Sequence, residues 1–352
     1  MAGRWEVTYL KIHTSDAGTS LFANGQMQVA ANILIKAVDP NTNNSYTLTA
    51  TELSKIELVD YYNTSEKLTG PWTYTATEND FSHTMPASMS APSDVEDALS
   101  EPLMEDQHKR YWVSTTRAEV KNVGARIQQP NGTVVTTRSS PNDSYIAFRG
   151  ISEIRYSLSN TEWKRENTAD GSGWDQDNYF LTSKVHPFKK VKRYGYHDDS
   201  YVVVGMRNSV AYHRPGPHLH FMFDLGPRVT QTVGLTHYTD GRAHPFKWTK
   251  AITIRQHANA LCLVRLKTSG PKDIWSLGWW YAPWVNIFDL YGNSGKFDFQ
   301  VNEYNMISVS NRGTFAASAD TDTDAITYEK EEDTPNSEAS EIESSAPAPT
   351  TD

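Results

Sequence analysis

The clearest pattern near the start of the chain is an alternation of apolar and polar side chains. Every second position over eleven residues is apolar: Met27, Val29, Ala31, Ile33, Ile35 and Ala37. A period of two places such side chains on one face of an extended strand. The segment is therefore predicted to be a half-buried β-strand.

Similar strand patterns recur as far as residue 301 and are separated by turn residues. Asn131-Gly132 and the segment 292–295 each stand between two such runs and predict hairpins. The further predicted strands are 72–77, 111–113, 123–127, 145–148, 151–158, 201–204, 219–225, 229–235, 251–256, 260–266, 284–290 and 296–301. Regular spacing of this kind is typical of sandwiches or barrels.

Two segments do not follow this alternation. Residues 52–59 could form one helical turn or a strand, and a short helical or bent segment entering a strand is favoured. Residues 160–178 are interpreted as a polar loop. Its part 170–178 has carboxylates that a Ca²⁺ loop could use, but it lacks the bidentate glutamate, so a plain Asp/Gly turn is preferred.

The fold class predicted from these patterns is all-β. Tandem antiparallel β-sandwich units, immunoglobulin-like or jelly-roll-like, would precede a disordered acidic C-terminal tail. The predicted division is a β-sandwich unit at 1–85, a linker at 86–108, a second β unit at 109–200, a third unit or continuation at 201–314, and the tail at 315–352.

The charge of the chain is concentrated at its C-terminal end. The net charge is −9, but residues 320–352 hold eleven Asp or Glu and one Lys, which leaves +1 for the other 319 residues. A segment with so few large apolar residues cannot offset its ordering entropy and is predicted to be disordered. It would act as a solubilising tail or as an arm that docks on a basic surface.

Cysteine content and the N-terminal segment limit the cellular setting. Cys262 is the one cysteine, which excludes an intramolecular disulfide, and its apolar neighbours predict a core position. The first residues lack the apolar stretch of a signal peptide, and no apolar run is long enough for a membrane helix. We expect synthesis in the cytoplasm, with release or export only by a route without a classical signal.

A basic and aromatic segment raises the question of nucleic-acid binding. Seven basic or histidine residues lie within fourteen positions: Lys184, His186, Lys189, Lys190, Lys192, Arg193 and His197. Phe188, Tyr194 and Tyr196 are interleaved with them, as in surfaces that stack on bases. Because the remaining chain is not basic, the preferred interpretation is a solvated loop or a strand edge, where lysines discourage edge-to-edge pairing.

A histidine pair is the most enzyme-like feature of the sequence. On a strand, His218 and His220 would point to the same face about 7 Å apart. Two imidazoles and a carboxylate can hold a divalent metal. The segment resembles the first half of a cupin metal motif, with Asp224 standing one position before the usual glutamate. No second half of that motif is present, and packing histidines are the alternative interpretation.

Five large aromatic residues lie within ten positions and form the candidate binding site. They are Trp275, Trp279, Trp280, Tyr281 and Trp284, with Gly278 and Pro283 among them. One core position does not need so many rings, so some of them are predicted to form an exposed shelf. Such a shelf can stack on sugar rings or anchor a protein or lipid interface. Core packing is the alternative for these residues.

The N-terminal strand carries a resemblance to a known family. Residues 23–29 join a small residue, Asn24 and Gly25 to a glutamine, and residues 33–39 alternate until Asp39. This stretch resembles the opening of bacterial immunoglobulin-like repeats of the invasin and intimin type. After Asp39 the family's Gly-rich turn is replaced by residues 40–44. The resemblance implies a β-sandwich module that presents surfaces, and it implies no catalytic residue.

Two functions from different classes follow from these features. The first is a non-enzymatic binding or structural protein that presents aromatic-rich surfaces to a carbohydrate, a membrane or a protein. It would serve as a virulence or toxin-type factor or as a component of a phage-like assembly, and self-association stays open. The second is a metal-dependent, cupin-like enzyme that uses His218 and His220.

Overall fold

The computed structural model describes residues 5–15, 18–86, 107–194, 203–204, 218–239, 242–268, 284–302 and 304–313. The predicted all-β, sandwich-like class is confirmed. The strands are β1 Glu6–Thr14, β2 Ser20–Phe22, β3 Val29–Val38, β4 Ser45–Tyr46, β5 Glu57–Asp60, β6 Trp72–Thr75, β7 Gln107–Thr115, β8 Val120–Gln128, β9 Val134–Thr136, β10 Ile146–Ile151, β11 Thr161–Gly171, β12 Trp174–Ser183, β13 Phe188–Tyr194, β14 Val203–Val204, β15 His218–Phe223, β16 Val229–Thr239, β17 Arg242–Ile254, β18 Leu261–Thr268, β19 Trp284–Asp289, β20 Ser294–Val301 and β21 Ile307–Asn311.

The N-terminal part is a sandwich of two sheets. The first sheet has the order β1-β3-β7-β6 with β4 beside β3, and the second has the order β2-β10-β8-β5 with β9 beside β8. All its strand pairs are antiparallel except β2 with β10. The inner faces enclose a core that includes Leu10, Ile33, Trp72, Val113 and Phe148. The alternation predicted for residues 27–37 therefore corresponds to the inner face of β3 and to Met27, a core residue just before that strand.

The described residues of the C-terminal part form three layers of sheet. A central sheet, β11-β12-β18-β15, lies between an outer sheet, β13-β19-β20-β21, and a flanking sheet, β14-β16-β17. One face of the central sheet packs Phe180, Phe221 and Cys262 against the flanking sheet. The opposite face packs Leu181 and Leu263 against the outer sheet. A sheet that is covered on both faces needs apolar residues at consecutive positions, as β18 provides.

Local signals in the sequence account for several connections. The short helix α1, Ala50–Leu53, begins with a capping box in which Thr49 and Glu52 exchange side-chain and backbone hydrogen bonds. The hairpin predicted at Asn131-Gly132 joins β8 to β9, and Gly132 has a positive φ of 89°. The hairpin predicted at 292–295 joins β19 to β20. These predictions are confirmed.

Two local predictions are wrong. The segment 160–178, interpreted as a loop, forms most of the β11–β12 hairpin, in which Gly171 pairs with Trp174. The segment is rich in polar residues because β11 is an edge strand with much of its length exposed. The strand predicted at 151–158 is absent beyond Ile151, where β10 ends and an irregular connection leads to β11. In this connection, the backbone N–H groups of Ile154 and Tyr156 donate hydrogen bonds to the hairpin of β19 and β20.

A buried polar network connects that hairpin to the N-terminal sandwich. Asn24 donates to the Asn293 side chain and to the Tyr291 carbonyl, both at 3.0 Å. Asp289 accepts from the Asn293 side chain at 3.0 Å and from the Tyr156 hydroxyl at 3.0 Å. Both Asp289 and Asn293 are fully buried, so each hydrogen bond is needed to offset their desolvation.

The predicted division into units stays a prediction. β7 and β8 of the second predicted unit pair with β3 and β5 of the first. Most of the predicted linker and the whole predicted tail, 315–352, lie outside the described residues. None of the described helices is long and apolar enough to cross a membrane.

Candidate functional site

Of the five residues of the predicted aromatic shelf, Trp284 lies within the described part of the chain, as the first residue of β19. Trp275, Trp279, Trp280 and Tyr281 lie outside the described residues. Trp284 pairs in register with Tyr194, the last residue of β13. Their rings are stacked, with 3.8 Å between centroids and 8° between planes. Both side chains point away from the core, because Val285 between Trp284 and Asn286 packs inward.

A cation approaches Trp284 from the other side of the strand. The Arg312 guanidinium carbon is 4.1 Å from the centroid of the indole ring, and Arg312 follows β21. Arg312 also forms an ion pair of 2.9 Å with Asp298, which is the β20 partner of Trp284. Trp284 is thus contacted by Tyr194 on the neighbouring strand β13 and by Arg312, which follows β21. This arrangement holds the indole in one orientation.

The next row of side chains on this face is polar. Lys192 on β13, Asn286 on β19 and Lys296 on β20 are direct neighbours in register. The Lys192 ammonium is 5.9 Å from the Phe288 ring and the Lys296 ammonium is 5.6 Å from the Trp284 ring. Both lysines are exposed, whereas the Asn286 Oδ1 atom is buried and has no hydrogen-bond partner within the described ranges.

A third row ends this face near the N-terminal sandwich. Phe288 packs against Phe81 with 6.0 Å between ring centroids, and Lys190 lies 3.7 Å from the Asp80 carboxylate. Exposed Gln300, Ser308 and Ser310 extend the face across β20 and β21. We call these three rows and the adjoining polar positions the outer face: Tyr194, Lys192, Lys190, Trp284, Asn286, Phe288, Asp298, Lys296, Gln300, Ser308, Ser310 and Arg312.

The basic segment predicted between 184 and 197 is divided between two faces of β13. Lys190 and Lys192 belong to the outer face, whereas Val191 packs into the core. The Arg193 Nε atom lies 2.9 Å from the Asp224 carboxylate. His197 lies outside the described residues. The alternation of a strand therefore separates residues that are adjacent in the sequence.

The histidine pair lies on the central sheet and faces the outer sheet. As predicted, His218 and His220 share one face of β15, and Phe221 and Phe223 on the opposite face are core residues. His220 is 3% exposed, and its Nε2 atom is 3.0 Å from the Asn305 carbonyl oxygen. Burial, with His220 and Lys267 nearby, lowers the pKa of His218 to about 4. Near pH 7 this ring is therefore neutral.

The metal site predicted at His218, His220 and Asp224 stays a prediction. Asp224 is engaged with Arg193, and its backbone carbonyl accepts from the Arg255 Nε atom at 2.6 Å. Within the part of the chain that the structure describes, no cluster of three His, Cys, Asp or Glu side chains could hold a metal ion. Cys262 is fully buried, and burial raises the pKa of its thiol to about 12, which fits the predicted core role.

An ion cluster beside the histidines was not predicted. Asp177 on β12 is fully buried and contacts Arg265 on β18, and its other oxygen accepts from Arg165 at 2.9 Å. Arg265 also lies 3.5 Å from Asp175. The signal in the sequence is a pair of carboxylates within a strand, but Arg265 lies 88 positions from Asp177. Only the register of the sheet brings the two together.

An apolar cleft of about 490 Å³ lies at the start of β13. Its lining includes Pro187, Phe188, Leu225, Pro227 and Leu290. Among the described residues that line it, Lys189 is the one that is ionisable. General acid–base or nucleophilic catalysis needs paired titratable groups, and the described lining of this cleft provides an apolar pocket without such a pair.

Comparisons with known proteins add little to this geometry. The chain matches no family model and no curated protein sequence. Among solved structures it is similar to the adhesin InvE of Yersinia pseudotuberculosis, with 12% identity and a TM-score of 0.18. The alignment covers 89% of this chain and 65% of the adhesin chain. A TM-score this low supports no inference about fold or function.

Proposed function

We propose that the protein is a non-enzymatic binding or structural protein and that the outer face is its binding surface. The observation that carries this proposal is the fixed stack of Tyr194, Trp284 and Arg312 beside two exposed lysines. The partner would be a carbohydrate, a membrane or another protein. Such a surface would serve a module of the invasin and intimin kind, a virulence or toxin-type factor, or a component of a phage-like assembly.

Two physical arguments support binding at this face. Stacked rings and a guanidinium lose little conformational freedom when a ligand arrives, because this chain already holds them in place. The face also combines aromatic rings with donors and acceptors such as Asn286, Gln300 and Ser308. Aromatic and arginine anchors with surrounding polar groups are typical of protein binding surfaces.

The test compares ligand capture by the wild-type chain and by Trp284→Ala on glycan arrays, lipid vesicles and immobilised surface proteins. Tyr62→Ala is the matched control, since Tyr62 is 64% exposed on the N-terminal sandwich. We expect Trp284→Ala to lose capture, with a thermal midpoint lowered by no more than about 6 °C. Capture that is unchanged in Trp284→Ala, or lost equally in Tyr62→Ala, would contradict the proposal.

A further inference from the structure

We propose that Lys192, Asn286 and Lys296 form a subsite for the acidic groups of a polysaccharide that carries carboxylates or sulfates. This inference rests on the proposed function and specifies the partner of the same face. The three residues lie side by side on β13, β19 and β20. Neighbouring strands are about 4.8 Å apart, so the two lysine Cα atoms are separated by roughly 10 Å.

The two lysines carry charge that this face does not neutralise. Arg312 pairs with Asp298 at 2.9 Å, and Lys190 lies 3.7 Å from Asp80. Among the described residues, neither Lys192 nor Lys296 forms an ion pair. Their ammonium groups lie over aromatic rings instead, at 5.9 and 5.6 Å. An acidic ligand would supply the missing counter-charge at two points on either side of Asn286.

Asn286 adds a polar side chain whose carbonyl oxygen lacks a hydrogen-bond donor in the described part of the chain. Its Oδ1 atom is buried and accepts no hydrogen bond from the described part of the chain. A buried acceptor without a donor costs free energy, and a shift of the Asn286 side chain toward a ligand hydroxyl between the lysine stems would relieve that cost. The amide nitrogen of the same side chain can donate to a carboxylate or sulfate oxygen. A sugar acid presents both kinds of group within one ring.

Polysaccharide fits this face better than nucleic acid does. Asp298 and Asp80 lie within or beside the outer face and would repel the continuous charge of a phosphodiester backbone. A polysaccharide can place its acidic groups at the lysines and its hydroxyls, which donate to carboxylates, at these two residues. Ser308, Ser310 and Gln300 add further groups for hydroxyls. Nucleic-acid affinity depends on many neutralised phosphates, which two free lysines do not provide. The Tyr194–Trp284 stack offers an aromatic boundary for the apolar face of a sugar ring.

The experiment measures binding of the full-length chain to heparin, hyaluronate and alginate. Neutral dextran, single-stranded DNA and phosphatidylserine vesicles serve as comparison probes. The variants are the double substitution Lys192→Gln/Lys296→Gln and the isosteric Asn286→Asp. Lys55→Gln/Lys184→Gln removes the same charge at exposed positions away from the row. Thermal midpoints verify that each variant is folded. Binding by the Asn286→Asp variant still tests the subsite if the double lysine variant unfolds.

We expect at least one acidic polysaccharide to bind and dextran not to bind. The Lys192→Gln/Lys296→Gln change should weaken binding at least about tenfold, because two charge-assisted contacts are lost. Asn286→Asp should abolish binding by placing a negative charge between the lysines, and the Lys55→Gln/Lys184→Gln control should bind like the wild type. The affinity for sulfated heparin, compared with the affinities for carboxylated hyaluronate and alginate, shows which acidic group is preferred.

Three outcomes would overturn the inference. The first is polysaccharide binding that is unchanged in both the Lys192→Gln/Lys296→Gln and the Asn286→Asp variants. The second is binding of dextran that equals binding of the acidic polysaccharides. The third is tighter binding of DNA or vesicles than of any acidic polysaccharide. If a neutral glycan, a vesicle or a protein is captured through Trp284, this inference fails and the proposed function stands. If no ligand depends on Trp284, both fail.

Discussion

The outer face and the ion cluster of the central sheet use the same residue types in opposite surroundings. In the ion cluster, Asp177 is fully buried between Arg265 and Arg165. On the outer face, the Asp298–Arg312 pair has side chains that are 29% and 35% exposed. Buried charges must be paired to be tolerated, whereas exposed charges are solvated with or without a partner. We therefore expect the ion cluster to determine stability and the outer face to be available for binding.

Removing the buried carboxylate should have the largest effect on this comparison. Asp177→Asn keeps the shape of the side chain but leaves Arg265 and Arg165 without their main counter-charge. We expect the free energy of unfolding to fall by about 3 kcal/mol or more, measured by urea denaturation followed by tryptophan fluorescence. Asp298→Asn is the matched change on the outer face and should cost less than about 1 kcal/mol. Equal losses in both variants would remove the distinction between the two regions.

The sequence predicted the fold class and most strand positions, because alternation is a local property. Val29 to Ala37 shows this, since every second side chain enters the N-terminal core. Turn residues such as Gly132 and Gly292 predicted hairpins for the same reason. Gly292 has a φ of 81°, and an added Cβ atom would lie 2.5 Å from the Gln26 Cβ atom. A local rule and a tertiary contact both require glycine there.

The candidate site could be predicted only in part, because its residues meet through strand register. Lys192, Asn286 and Lys296 come from three strands, and no spacing rule relates positions 192 and 286. The hairpin of β11 and β12 was missed because β11 is an exposed edge strand and because β12 contains buried polar residues. Asp177 and Asn178 are polar residues in a fully buried stretch, and their burial is explained by Arg265 and by the Thr253 carbonyl. Those partners are distant in the sequence.

Acidification should weaken the central sheet through His218. The pKa of His218 in the folded chain is about 4, below its ordinary value of 6.5, so the unfolded chain binds the proton more tightly. The stabilisation is complete above pH 6.5 and is lost as the pH falls to 4. Since the ring is only partly buried, we expect a loss of about 2 kcal/mol from this group.

The measurement is the difference in unfolding free energy between the wild-type chain and His218→Asn at several pH values. That difference should shift by about 2 kcal/mol between pH 7 and pH 4.5 if the ring resists protonation in the folded state. Lys192→Gln is the control, since its difference from the wild type should stay constant over this range. A constant difference for His218→Asn as well would contradict the prediction.

Truncation of Trp284 should have a smaller effect on stability than either change in the central sheet. The indole is half-buried, and it contacts Tyr194 and Arg312 without entering the core. We expect Trp284→Ala to lower the free energy of unfolding by about 1.5 kcal/mol, the order of one aromatic stack and one cation–π contact. Denaturation of Trp163→Ala supplies the contrast, because Trp163 packs on Tyr179 and Phe299 between two sheets. A loss for Trp284→Ala as large as that for Trp163→Ala would place Trp284 among the core residues.

The smallest expected effect concerns the way in which Arg312 contacts Trp284. Arg312→Lys keeps the positive charge near Asp298 but replaces the planar guanidinium that lies 4.1 Å from the indole centroid. We expect a loss of about 0.5 kcal/mol, and the same change should cost nothing when Trp284 is already alanine. Unfolding free energies of the two single variants and the double variant give this coupling directly. A coupling near zero would mean that the contact does not hold the indole in place, whereas a coupling above about 2 kcal/mol would mean that the pair is desolvated like the charges around Asp177.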